Sequence, residues 1–457
     1  MRPLPTAEPA AQLQQRKRTL PWAGRWLAVL CAVALVAACN ETKVQPAGPA
    51  ASGELSPTQS ASASLAAAVP APWLIGADEP RGNAQAGAKL VADFECGRCH
   101  TGREIKPIRL ESHCISCHQK VMRGGFDHKP EHVRWKKNVV HLTATPSLWA
   151  VGRRWRYGWL VKFLRKPHDL RPALVQTMPQ LALTQQQARD IATFLTGDFP
   201  PDPTADAQAA ANLAKIDASA GHTLLNDKGC GSCHEMSGVA PLKGLNAPEP
   251  GKHETRPAVI LAPDLRFVRD RFRPGQLANW LRQPHKLKRD TPMPETPMSP
   301  SERDTIAAYL LYARLEPVKP HVAPKPLPLL SRRVGYAEVA EQVLDVTCRH
   351  CHGNPDDAVG DGGPGNTGGF GYRARGVNLT SYKYVAAGYL DAEGARHSLF
   401  EKMPDGQPRL IAALWARHAE VSGSPVKGLR GMPLGLPPLK AKEIQLIASW
   451  VAQGRPR

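Results

Sequence analysis

Five residues, Cys96-Gly97-Arg98-Cys99-His100, return as a pattern at Cys114-Ile115-Ser116-Cys117-His118, Cys230-Gly231-Ser232-Cys233-His234 and Cys348-Arg349-His350-Cys351-His352, and together use eight of the ten cysteines. Two thiols three positions apart can each add to a vinyl group of one haem, and the adjacent His is then held beneath the iron as its proximal ligand. A four-thiolate zinc ribbon, a redox dithiol or a disulfide would also use a Cys-x-x-Cys pair, and Cys96/Cys99 with Cys114/Cys117 come close to ribbon spacing. None of those requires the following His, which all four pairs carry. The expectation is four covalently bound c-type haems, with His100, His118, His234 and His352 as proximal ligands of haems 1 to 4 in chain order.

The two remaining cysteines, Cys31 and Cys39, belong to an N-terminal segment that reads as an address. A basic cluster, Arg16-Lys17-Arg18 with Arg25, leads into the apolar run Trp26 to Ala38, and its 13 residues are too few to span a bilayer as a mature helix. The ending Val36-Ala37-Ala38-Cys39 resembles the lipobox of bacterial lipoproteins. That resemblance implies residues 1–38 as a signal peptide, lipidation at Cys39, and an outer-membrane lipoprotein of a Gram-negative cell facing the periplasm or the cell surface. Residues 39–80 are rich in Ala, Pro, Ser and Gly without periodicity, which predicts a disordered leash. The formal charge of +19 falls to +15 once residues 1–38 are removed. A basic surface suits an acidic redox partner or anionic lipid headgroups, and haem propionates would offset part of it. Nucleic acid is not expected as a partner of an exported chain.

Two stretches repeat. Gly87 to Cys96 parallels Gly221 to Cys230, a short amphipathic helix running into the motif. Pro146-Ser147-Leu148 parallels Pro263-Asp264-Leu265, Arg154-Trp155-Arg156 parallels Arg271-Phe272-Arg273, and Phe163 to His168 parallels Trp280 to His285. Met178-Pro179 and Met293-Pro294 each precede Thr184 or Ser299, expected N-caps of closing helices from Gln185 and Glu302. The third unit starts with a helix over Tyr336–Val346 and closes with Met432-Pro433 before an amphipathic Ala441–Gln453.

This order of parts resembles class I cytochrome c: a helix into Cys-x-x-Cys-His, a Pro-x-Leu loop, a Met-Pro loop and a closing helix. The resemblance implies that the Met of the Met-Pro loop is the distal iron ligand, and that first and last helices cross. It gives Met293 to haem 3, with Met298 as packing, and Met432 to haem 4, with Met403 as competitor. Met178 serves haem 1 if the leading helix decides and haem 2 if loop length decides. The helix was weighted more heavily, which makes residues 101 to about 141 an insertion carrying haem 2. Its sixth ligand would then come from His113, His128, His132 or His141, or be absent. His113 is adjacent to Cys114, and Pro130 argues against one helical face for His128 and His132.

The expected fold is therefore mainly α, with three tandem cytochrome c-type haem domains joined by Pro- and Ala-rich linkers: a dihaem domain over 81–200, a linker over 201–218, a class I-like domain over 219–317, a stiff Pro-rich linker over 318–335, and a monohaem domain over 336–457. The Gly-rich insert 360–376 formally matches a Gly-x-Gly-x-x-Gly pattern but lacks the strand and helix that would give it meaning. Such a chain is expected to carry electrons between envelope redox proteins rather than to act as an enzyme. The alternatives are a haem enzyme with an open haem 2 acting on a small oxidant or a sulfur or nitrogen species, and a structural haem subunit of an outer-membrane electron conduit.

Overall fold

Gly87 and Gly221 hold the same place in the two repeats, and each lets two helices cross at close range. A Cβ on Gly87 would lie 2.0 Å from the Asp190 carbonyl oxygen, and one on Gly221 would lie 2.2 Å from Tyr309 Cβ. In this computed structural model, which describes residues 79–457 except 103–104, 140, 176, 198, 201, 245–256, 320 and 355–367, Gly87 sits on α1 (Ala84–Asp93) and Gly221 on a later equivalent. The expected signal segment, Cys39, nearly all of the expected leash and residues 360–367 of the Gly-rich insert lie outside the described residues.

The chain is mainly helical. After α1 come α2 (Cys114–Met122), α3 (His132–Asn138), α4 (Val151–Arg154), α5 (Tyr157–Arg165) and α6 (Gln185–Thr196). Then follow α7 (Pro203–Leu213), α8 (Gly221–Asp227), α9 (Val268–Arg271), α10 (Pro274–Arg282) and α11 (Pro300–Tyr312). The last part holds α12 (Tyr336–Val339), a wider π-turn stretch (Ala340–Cys348), α13 (Tyr382–Ala387), a two-residue antiparallel pair Tyr389–Leu390 with Arg396–His397, α14 (Arg409–Val421) and α15 (Ala441–Ala452). Among the described residues no helix is long and apolar enough to cross a membrane.

Local chemistry sets the helix ends as the sequence predicts. Thr184 and Ser299 close capping boxes with Gln187 and Glu302, and Pro300 occupies the first turn, where its missing N–H costs nothing. The closing helices bury Ile191 and Ile306, and α1 packs on α6 as α8 packs on α11.

Three apolar cores result, one built from residues between Val91 and Leu195, one from Leu213 to Leu311, and one from Val334 to Trp450. Two expectations about linkers are corrected. Residues 203–213 are not a connector but α7, started by Asp202 as N-cap. It contributes Leu213 to the second core, and Asp206 accepts from Arg273 Nε at 3.0 Å. The Pro-rich stretch is extended as expected, yet it is docked rather than free-standing. The Leu330 N–H donates to Ser449 Oγ at 2.9 Å, and Ser422 Oγ donates to the His321 carbonyl at 3.0 Å.

The repeated triplets become one another's partners. Arg156 N donates to the Arg271 carbonyl at 2.8 Å and Arg273 N donates to the Arg154 carbonyl at 2.7 Å, around the bridge Trp155↔Phe272. In each repeat the third residue donates to the first residue of the other, the self-complementary pattern of a two-fold interface. The third core meets the first through Thr177 N to the Gly435 carbonyl at 2.9 Å, Tyr372 Oη to the Gln180 carbonyl at 2.8 Å and Asn138 Nδ2 to the Asp345 carbonyl at 3.4 Å.

Because the atom facing Gly87 is backbone and cannot rotate away, Gly87→Ala is expected to cost about 1–3 kcal/mol through overpacking. Denaturant unfolding of the two proteins measures this.

Candidate haem centres

In motifs 1, 3 and 4 a helix leads to the thiols, whereas in motif 2 Cys114, Cys117 and His118 lie within α2 itself; the chain that follows then positions the imidazole. In motif 1, His100 Nδ1 meets the Pro146 carbonyl at 2.9 Å while Leu148 N donates to the Thr101 carbonyl at 2.8 Å. Motif 3 repeats this with His234 Nδ1 at 2.8 Å from the Pro263 carbonyl and Leu265 N at 2.8 Å from the Glu235 carbonyl. The Pro-x-Leu loop is thus a clamp: its first carbonyl orients the ring, and the N–H of its Leu ties the loop back to the chain just past the His. Motif 2 uses a different carbonyl, that of His141, at 2.9 Å from His118 Nδ1. In motif 4 the Leu379 N–H donates to the His352 carbonyl at 2.8 Å. There His352 Nδ1 has no partner of hydrogen-bond geometry, and the Val377 carbonyl two residues before Leu379 offsets part of its desolvation.

A carbonyl accepts only from a protonated nitrogen, so it fixes the tautomer with hydrogen on Nδ1 and leaves Nε2 as the base, as metal-bound imidazoles require. Burial lowers the pKa of His100 and His234, and takes His118 and His352 to about 4. All four rings are neutral at pH 7, the form that binds iron.

The eight motif cysteines are in no disulfide. Burial pushes the Cys96 thiol up to about 11 and Cys348 up to about 12, and the Cys99 thiol is raised by its hydrogen bond to Cys114 and by burial. A redox dithiol instead needs one cysteine whose pKa is depressed. Among the described residues no three or more His, Cys, Asp or Glu side chains are grouped to hold a metal ion directly. A haem iron asks for one protein ligand on each face.

Each core brings one motif cysteine together with a methionine. Cys96 and Met178 pack on the first, Cys230 with Met293 and Met298 on the second, and Cys348 with Met432 on the third. Met403 packs on none of them; its sulfur lies 3.4 Å from an Arg409 guanidinium nitrogen, in a turn where Met403 N donates to the Gln407 carbonyl. The Thr101–Leu148 hydrogen bond closes residues 102–147 into a side loop whose buried Ile115, Val121 and Val139 belong to no core. Met178 therefore shares its core with Cys96, not with Cys114 or Cys117.

The histidines of that loop separate clearly. His132 has both ring nitrogens engaged, Nε2 at 2.9 Å from the Val121 carbonyl and Nδ1 at 2.6 Å from Asp127, so its candidacy as an iron ligand is not supported by its geometry. His128 is exposed. His113 caps α2, its Nδ1 accepting from Ser116 N at 3.1 Å, and its Nε2 is buried without a partner. His141 places its ring centroid 6.4 Å from that of His118, and His350, which sequence reasoning did not single out, comes to 5.4 Å. His350 is the second intervening residue of motif 4, so motifs 2 and 4 adjoin, and the Cys99–Cys114 contact joins motifs 1 and 2. The signal was present only as an extra His inside the fourth motif.

Two thiols and a buried neutral imidazole, the chemistry a c-type haem would use, occur at all four motifs; the ring is held by a carbonyl at motifs 1, 2 and 3, and a methionine shares the core at motifs 1, 3 and 4. No family model, no curated protein and no solved structure matches the chain.

His118, His141 and His352 stay neutral down to about 4, against 6.5 in an open chain. Between those values the unfolded chain binds protons that the fold refuses, so stability falls as pH drops from about 6.5 to about 4 and this loss then ends. Urea midpoints measured across that window are expected to decline, and His141→Gln to flatten the decline in part, since burial also lowers His100, His113, His168, His234 and His418.

Proposed function

We propose that the chain is an exported, membrane-tethered tetrahaem c-type cytochrome that carries electrons between redox proteins of the cell envelope. The observation that carries this reading is the recurrence, at His100, His118 and His234, of an Nδ1-to-carbonyl bond beside a Cys-x-x-Cys pair. The haem supplies one-electron chemistry, and the protein sets each potential through axial ligand, burial and hydrogen bonding. By resemblance to class I cytochrome c, Met178, Met293 and Met432 close the sixth positions of haems 1, 3 and 4, and their sharing of a core with Cys96, Cys230 and Cys348 supports that assignment. The three units are then a dihaem domain and two monohaem domains, with the side loop holding haem 2. The adjoining of motifs 1, 2 and 4 supports a relay, since tunnelling weakens steeply with distance. Lipidation at Cys39 and a periplasmic or cell-surface position remain part of the proposal, as does an acidic partner for a chain of charge +19.

One observation favours the second reading, a haem enzyme with an open haem 2. Of the loop histidines, His132 is engaged at both nitrogens, His128 is exposed and His113 spends Nδ1 on the α2 cap, so the rings beside His118 are His141 and, from motif 4, His350. A structural subunit of an electron conduit is the third reading.

Low-temperature EPR of the oxidised protein, with carbon monoxide added to the reduced form, separates them. The relay reading expects four low-spin haems and no gas binding; one high-spin, gas-binding haem in four would move the function to haem 2. Met432→Ala is expected to open about one haem in four and Met403→Ala none; the reverse result would reassign the ligand. Met293→His is expected to lower the potential of a single haem, because a thioether favours reduced iron.

A further inference from the structure

Between the two repeats lies a cluster of four cations, of which Lys288 alone has an ion pair among the described residues. Arg154 and Arg271, equivalent in the repeats, are each 6% exposed, and the Nε of each has no partner. Arg154 donates one bond, to the Trp149 carbonyl at 3.2 Å, and its guanidinium stands 5.4 Å from the Trp280 ring of the other repeat. Arg171 crosses the same boundary, its Nε donating to the Leu261 carbonyl at 3.0 Å. Lys288, which matches Arg171 in the repeat alignment, reaches Ser147 Oγ at 2.8 Å and Asp290 at 2.5 Å. The nearby Asp264 carboxylate is occupied by Ser237 and by Arg266 N. Arg273, also buried, has the Asp206 carboxylate, but neither Arg154, Arg171 nor Arg271 has an ion pair among the described residues.

Burial and then the Arg171 charge bring Arg154 and Arg271 down to about 9, with Asp290 and Asp264 offsetting part of the shift, and burial brings Arg171 to about 10. All remain cationic at neutral pH. Buried charges without counter-charges are costly, so such a group persists where an anion completes it. The cluster reaches both clamp loops: Lys288 donates to Ser147 Oγ, next to the Pro146 that holds His100, and Arg171 to the Leu261 carbonyl, two residues before the Pro263 that holds His234. Guanidinium forks match carboxylates in geometry and bind them with charge-assisted hydrogen bonds.

The geometry points to Arg154, Arg171, Arg271 and Lys288 as one shared carboxylate-binding site that takes propionates from both haem 1 and haem 3 and so couples the two across the repeat interface. This rests on the haem reading above. Removing a cation from the site leaves carboxylate charge uncompensated, which favours ferric iron. Arg171→Gln is therefore expected to lower two of the four midpoint potentials together and leave the other two in place, while Arg171→Lys keeps most of the original values. If Arg171→Gln does not accumulate, Arg154→Gln and Lys288→Gln report on the same pair.

Spectroelectrochemical titration of the full protein reads this, with covalent haem counted separately by its pyridine haemochrome spectrum. Fewer than four haems in the unsubstituted protein would strike at the haem reading itself. Four haems with no shift, or a shift of one haem alone, would overturn the shared site. A potential that responds to added inorganic phosphate in the unsubstituted protein, and no longer does so in Arg171→Gln, would mean that a free oxyanion occupies the cluster, which also overturns it.

Discussion

A buried imidazole is best presented to a metal when its other ring nitrogen is held, and three of the four Cys-x-x-Cys-His motifs hold it. The acceptor is a backbone carbonyl, which cannot titrate or rotate away, so each motif needs a loop brought back against it. In motifs 1 and 3 the loop starts with Pro146 or Pro263, whose fixed φ stiffens it, and a Leu two residues on returns an N–H to the chain just beyond the His. Motif 4 substitutes Val377 for the Pro, and there the ring nitrogen misses hydrogen-bond geometry. The same loop serves as a structural clasp and as an orienting group.

Features set within a few residues were legible in the sequence. Thr184 and Ser299 announce their helices because a capping box needs only residues three apart, and the mainly helical class follows from periodicity and caps. The close crossings at Gly87 and Gly221 were implied only through family likeness, since nothing local says that Asp190 or Tyr309 will lie against them. Where helix α7 docks was not legible, because its Ala-rich run has weak amphipathic pattern; its place is decided by Leu213 in the second core and by Asp206 against the distant Arg273. The Pro-rich stretch was read correctly as extended and incorrectly as a free spacer, because Pro content predicts backbone shape and not what the segment docks against.

Loop length and core membership gave different answers for Met178, and the physical reason is the side loop. Counting residues from a motif assumes that the intervening chain runs around one core. The Thr101–Leu148 bond short-circuits that path, so residues 102–147 add length without moving Met178 away from Cys96. A similar reason separates Met403 from Met432: the shorter loop places Met403 in a turn against Arg409, while the longer one carries Met432 to the core.

Long-range convergence was the part no linear pattern could give. That Arg154-Trp155-Arg156 and Arg271-Phe272-Arg273 repeat was visible; that they bind one another was not, because a repeat records similarity and not contact. Once paired, they carry Arg154 and Arg271 into the shared interior, where Arg171 of the first repeat donates to the Leu261 carbonyl of the second. The Cys99–Cys114 contact and the approach of His350 to His118 draw the other motifs toward motif 1. Spacing between sites is therefore set by packed interfaces within one compact body spanning the described chain, and a change in any interface would be felt as a change in the coupling between motifs, with each motif's own local geometry left intact.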